Sequence, residues 1–231
     1  KEKGDGGKKG EGKNATKVSG IVLKPQVFSD NLSLSGSIEA NEQVEIRSEV
    51  SGIVESINFN EGTPVTRGQV LFKINDSELR AQLAQARTQQ ALAAENERRA
   101  RLLLQKEAIS QEEYDTANAT LRSTQAQTQL IQAQLAKTSV KAPFSGKIGL
   151  RAISKGTYVT PTTVVANLVN MNQVKITFSI PEKYATQMKK DATISFTIAG
   201  SKDVFKAKIY AIEPGVDVAT RTLQMRALAQ N

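Results

Sequence analysis

The 231-residue chain contains neither cysteine nor histidine. That excludes thiol nucleophiles, disulfides, zinc-thiolate and iron-sulfur centres, and removes the commonest general base, so the composition points away from an enzyme and implies no cofactor or metal. Apolar residues make up 39% but aromatics only 5%, and the formal charge of +8 is scattered without a basic cluster interleaved with stacking aromatics; this suits thin cores in an elongated chain and argues against nucleic-acid binding.

In chain order, residues 1–17 carry six Lys, three acidic residues and many Gly, a composition that buries too little surface to order itself and reads as a flexible tether. Leu32, Leu34 and Ile38 alternate, as one strand of a small barrel would. No run of eighteen apolar residues occurs anywhere, so nothing in the sequence spans a membrane as a helix.

The stretch Ile46-Arg-Ser-Glu-Val-Ser-Gly-Ile-Val54 returns later as Val140-Lys-Ala-Pro-Phe-Ser-Gly-Lys-Ile148. Gly52 and Gly146 lie 94 positions apart, as do Gly62 and Gly156, and at this shift Thr63 falls on Thr157, Val65 on Val159 and Val70 on Val164. Each copy reads as short alternating strands broken by Gly turns, with too little core to stand alone. The two halves are expected to close into one split β-sandwich that buries the face carrying Val54, Ile57, Val65 and Val70.

Between the halves Gly and Pro vanish and helix formers dominate. Tyr114, Ala117, Leu121, Thr124, Thr128, Ile131 and Leu135 recur at spacings of three and four, a coiled-coil seam; Leu79, Leu83, Ala86, Gln90, Ala93, Glu97, Ala100 and Leu104 repeat it with smaller, more polar residues. Asp76 or Ser77 can cap the first helix, and Ser110 with Glu113 forms a capping box for the second, leaving a turn near Glu107 to Ser110. Two helices of about thirty residues make an antiparallel hairpin roughly 40 to 45 Å long. Beyond Val169, alternation resumes at Val174 to Ile180, Ile194 to Ile198, Phe205 to Ile209 and Leu223 to Ala227, with a short helix expected within Pro181 to Lys190.

This order of parts resembles the periplasmic adaptor, or membrane fusion, proteins of Gram-negative tripartite efflux pumps (the HlyD/AcrA-like family). The likeness covers Val18 to Asn231 and rests on Ser51-Gly-Ile-Val54, on Ala142-Pro-Phe-Ser-Gly-Lys-Ile148, and on the hairpin tip. It implies a flexible tether (1–17), a β-barrel domain (18–38 and 170–231), a split lipoyl-like domain (39–76 and 138–169) and an α-helical hairpin (77–137). Family tips carry an Arg, a Leu four residues on and a Ser seven further on, which engage a TolC-like outer-membrane channel; Arg99, Leu103 and Ser110 stand at that spacing.

The resemblance further implies an inner-membrane RND transporter as partner, with an ABC-type (MacA-like) partner as the alternative. It also implies self-association into a ring, possibly of six, a periplasmic location, and a membrane tether upstream of Lys1. Family members usually continue past Asn231 into a membrane-proximal domain, to which Val18 to Leu23 would contribute a strand. Two rivals stand beside it. A coiled-coil scaffold accounts for the heptads but not for the doubled motif around them, and a lipoyl or biotinyl carrier would need an exposed turn lysine where this chain inserts its helices. Lys73 is expected at a strand edge.

Overall fold

The computed structural model describes residue 20, residues 32–201 and residues 203–231. The expected tether, and the Val18 to Leu23 strand apart from Gly20, lie outside the described residues. Leu34–Asn231 form one compact unit. Its strands are β1 (Gly36–Arg47), β2 (Gly52–Ile57), β3 (Pro64–Val65), β4 (Val70–Ile74), β5 (Ser139–Lys141), β6 (Gly146–Ile148), β7 (Tyr158–Val159), β8 (Val164–Pro181), β9 (Thr193–Thr197), β10 (Val204–Asp217) and β11 (Thr222–Gln230). The helices are α1 (Ser77–Gln105) and α2 (Gln111–Lys137), with a 3-10 helix at Glu182–Gln187.

The doubled motif folds reciprocally. Gly62 N–H donates to the Ile148 carbonyl (3.0 Å) and Ile148 N–H to that of Thr63 (3.0 Å); their counterparts, Gly156 N–H to Val54 (2.9 Å) and Val54 N–H to Thr157 (2.9 Å), repeat the pattern with the halves exchanged. Each half thus supplies the turn that satisfies the other's strand, and neither sheet is complete without both. One sheet has the order β5-β4-β2-β7, while β3, β6 and β8 continue into the larger sheet that also holds β1, β11, β10 and β9. Gly62 and Gly156 adopt φ of 69° and 89°, a region open to glycine at no steric cost. A Cβ at Gly146 would collide with the Val169 carbonyl, which accounts for the glycine that ends the Pro-Phe-Ser-Gly turn.

Between the sheets Val54, Val65, Leu71, Phe72, Ile74, Ile148, Val159, Val165 and Leu168 are buried, with Ile57 half-buried against them. Val54, Ile57 and Val65 thus lie on the core face as expected, whereas Val70 is only half-buried and outside this cluster, because β4 is irregular between Val70 and Phe72 and Leu71 and Phe72 fill the core instead. Both helical seams also come out as written: each of the fifteen seam positions is buried or half-buried, with Leu83, Ala86 and Ile131 forming one buried cluster and Leu135 against them near the sandwich end. With 29 and 27 residues, α1 and α2 run about 40 to 44 Å at 1.5 Å per residue. Among the described residues no helix is long and apolar enough to cross a membrane.

The C-terminal strands pack a second core from Ile176, Phe178, Ile180, Ala207, Ile209, Leu223, Met225, Ala227 and Ala229. The segment after Pro181 is a 3-10 helix, whose Tyr184, Ala185 and, just beyond its end, Met188 pack on that core. Some alternating positions are not core: Leu34 is 41% exposed, Ile38 44%, Ile198 44% and Phe205 38%. Ile38 sits on β1, which pairs with β8 alone among the described strands.

One ribbon joins the cores. β1 and β8 pair from Gly36↔Phe178 to Arg47↔Val164, with a one-residue irregularity between Ile46 and Arg47 and a wider interruption where the register shifts between Ala40/Val174 and Glu42/Asn170. Amides cluster there. Asn170 Nδ2 donates to Glu42 (3.1 Å), Asn231 Nδ2 to the Met171 carbonyl (2.9 Å), Asn231 N–H to that of Asn172 (3.2 Å), and Lys175 Nζ reaches the Asn41 carbonyl.

Candidate functional site

The hairpin tip is a tight, fully bonded turn. Glu107 has φ 56°, its N–H donates to the Leu104 carbonyl (2.8 Å), and Ala108 N–H donates to that of Leu103 (2.9 Å). Together these form a Schellman closure, with glutamate in the left-handed position where glycine is usual. Ser110 then starts α2: its Oγ accepts from Glu113 N–H (3.2 Å) while Glu113 Oε2 accepts from Ser110 N–H (3.1 Å), the expected capping box. Just below the tip, Tyr114 Oη donates to Glu97 Oε1 (3.2 Å) and ties the helices together.

Arg99, Leu103 and Ser110 all lie on this end and all are exposed. Arg98 takes the close pairing with Glu95, at 2.9 and 2.7 Å, and that donation holds the Glu95 carboxyl below its ordinary range. Arg99 is left with looser contacts, to the Asn96 amide oxygen (3.1 Å), the Glu95 carbonyl (3.4 Å) and the Glu95 carboxylate (3.8 Å). Its side chain is 59% exposed, and Leu103 is 44% exposed beside Leu102 at 45%. The arrangement offers a planar donor fork, an aliphatic surface and a capped helix start within about three turns of helix.

The hairpin root holds residues that the sequence reading missed. Asp76, 6% exposed, receives Arg80 Nε on one carboxylate oxygen (2.7 Å) and has Lys73 Nζ 3.3 Å from the other; Lys73 also donates to Glu55 (3.1 Å). The Arg80 hydrogen bond first, and Lys73 with it, hold the Asp76 carboxyl below its usual value against the opposing effect of burial. Asp76 therefore clamps α1 to the sandwich rather than capping it. The capping contact comes from Asn75, whose Oδ1 accepts from Ser77 N–H (3.1 Å) and Oγ (2.7 Å).

On the return side, Thr138 is 1% exposed, with its hydroxyl on the Leu135 carbonyl (2.7 Å) and its own carbonyl accepting from Ile74 N–H (2.9 Å). Lys73 is not at a strand edge: β4 lies between β5 and β2, and its amine is engaged in the clamp. Asp76 and Arg80 were legible as an i,i+4 pair; Lys73, on the preceding strand, required the fold. Among the described residues no group of three or more acidic side chains could hold a metal ion.

Comparison with known proteins follows this geometry. Residues 42–171, over half of the chain, match the family profile described as "RND MFP, barrel-sandwich hybrid domain", and residues 173–231 match "CusB-like, beta-barrel domain". The chain is 27% identical to the antibiotic efflux pump periplasmic linker protein ArpA of Pseudomonas putida, over 94% of this chain and 61% of that protein. It is 26% identical to the multidrug resistance protein MexA of Pseudomonas aeruginosa, over 91% and 59%.

The chain spans about three fifths of the length of these curated relatives. Among solved structures, a MacA-MexA chimeric protein carrying the Pseudomonas aeruginosa MexA α-hairpin shares the fold at a TM-score of 0.73, with 24% identity over 86% of this chain and 73% of that one. A putative efflux transporter from Bacteroides eggerthii does so at 0.69, with 24% identity over 86% and 61%. By the profile that spans its sandwich and hairpin, the chain belongs to the RND membrane fusion protein family.

Proposed function

We propose that this protein is the periplasmic adaptor subunit of a tripartite efflux system, linking an inner-membrane RND transporter to a TolC-like outer-membrane channel and helping to seal the conduit between them. Its relatives are named periplasmic linkers of efflux pumps. The observation that carries the channel contact is the exposed constellation of Arg99, Leu103 and Ser110 around a rigid turn. In this role Leu103 is buried between channel helices, Arg99 donates to carbonyl or carboxylate oxygens, and Ser110 meets partner backbone at the tip. The working parts are a barrel domain (18–38 and 170–231) toward the pump, a split lipoyl-like domain (39–76 and 138–169) in a ring of copies, possibly six, and a hairpin (77–137) toward the channel. A tether upstream of Lys1 holds the assembly at the inner membrane.

The absence of cysteine gives a clean test. A single Cys at Ser110 should cross-link to an outer-membrane channel in cells, a mid-hairpin Cys at Gln90 should not, and Arg99→Asp should abolish the Ser110 adduct. Equal adducts at both positions, or none while export persists, would return the protein to the scaffold reading.

A further inference from the structure

The repeat makes the two outer faces of the sandwich equivalent in backbone but not in side chains. On one face β2 and β7 pair Ile53 directly with Tyr158. At the same shift of 94, those positions become Lys147 and Pro64, which pair on β6 and β3 of the opposite sheet. Ile53 is 51% exposed and Tyr158 64%, an apolar aliphatic-aromatic pair on open sheet surface, whereas Pro64 and Lys147 are both exposed on the other face. Glu55 follows Ile53 on the same side of β2 and stays 49% exposed despite its contact with Lys73. Lys147 enters no ion pair among the described residues.

We propose that the Ile53–Tyr158 face of one copy docks on the Pro64–Lys147 face of the next, a head-to-tail contact between copies of this chain; the proposal rests on the ring reading above and names its surface. The chemistry is complementary: Lys147 can place its ammonium on the Tyr158 ring or beside Glu55 while its stem and the Pro64 ring cover Ile53. Self-pairing of the second face would bring Lys147 against Lys147. A heterologous contact of this kind repeats one operation from copy to copy and gives a ring when its rotation closes. The patch is small, suited to a contact made twice by every copy and reinforced by closure.

The test uses the full-length protein in its own cells, with Ile53→Cys and Pro64→Cys variants, which keep Lys147 and Tyr158, expressed singly and together, and a short bis-maleimide as probe. An adduct that appears only when both variants are present, and falls about tenfold on adding Tyr158→Ala, is expected. An Ile53→Cys self-adduct would overturn the proposal in favour of a two-fold contact. An amine-reactive cross-linker applied to the same cells separates the remaining failures. A ladder of oligomers without the mixed cysteine adduct overturns this surface and leaves the ring standing; absence of any ladder overturns both.

Discussion

The sandwich and the hairpin are built from similar numbers of residues and held by different means. In the sandwich, six large side chains, Leu71, Phe72, Ile148, Val159, Val165 and Leu168, are wholly inaccessible, and every strand is bonded by its counterpart half. The hairpin, over some forty ångströms, buries only Leu83, Ala86, Ala93, Thr128 and Ile131 along its helices, then secures its ends with the Asp76 clamp and the Ser110 box. Stability near the sandwich comes from burial, while the rod depends on terminal fastenings that make few demands on its outward faces. The rod's exterior is thus free to be shaped by whatever it touches.

The largest effect should come from the sandwich. Ile148→Ala creates a cavity at a fully buried site and is expected to cost about 2–5 kcal/mol in denaturant unfolding, more than Ile131→Ala in the thinner core of the hairpin seam. Equal costs would break the comparison. Next comes the clamp: Asp76→Asn should lose about 1–3 kcal/mol near neutral pH, the range of charge-assisted hydrogen bonds. Because Arg80 and Lys73 depress the folded-state pKa of Asp76, its contribution is full above the unfolded value of about 3.9 and disappears as pH falls through the folded value. Melting curves from pH 6 down to pH 2 should therefore converge for wild type and Asp76→Asn. A gap that persists unchanged at pH 2 would show that the clamp is not ionic.

Smaller effects sharpen the picture at the other end. Ser110→Ala removes the cap acceptor and should cost about 0.5–2 kcal/mol locally, read as faster amide exchange at Gln111 to Tyr114 with the sandwich unchanged. Exchange that rises along the whole of α2 would show that the cap governs the helix rather than its first turn. Glu107→Gly relieves the left-handed glutamate and is expected to stabilise the turn by up to about 1 kcal/mol; destabilisation would mean that the Glu107 side chain contributes to the turn.

What was legible in the sequence follows the same division. The repeat and both seams could be read because glycine turns and side-chain periods are local signals, and Ser110 with Glu113 is a complete cap in four letters. Alternation assigns faces to a strand but does not say which face is covered, so Ile38, Ile198 and Phe205 were expected in a core and are instead 38 to 44% exposed. The same ambiguity hid the Ile53–Tyr158 pair, whose outward face is visible only once β2 and β7 are placed together. Asp76 was misread for a related reason: as a cap it needs only its own helix, but its partner Lys73 is supplied by the strand before it.

The ribbon of β1 and β8 that threads both cores has a mechanical consequence. A continuous two-stranded ladder resists shear along its length because sliding breaks many hydrogen bonds at once, but it yields where pairing is already absent. In this chain that place is the amide-rich step between Ala40/Val174 and Glu42/Asn170, beside which the two family profiles meet. A twist of one core against the other is therefore expected to concentrate at that step, around Asn41, Met171 and Asn172, since Gln173 is already paired with Gln230 of β11.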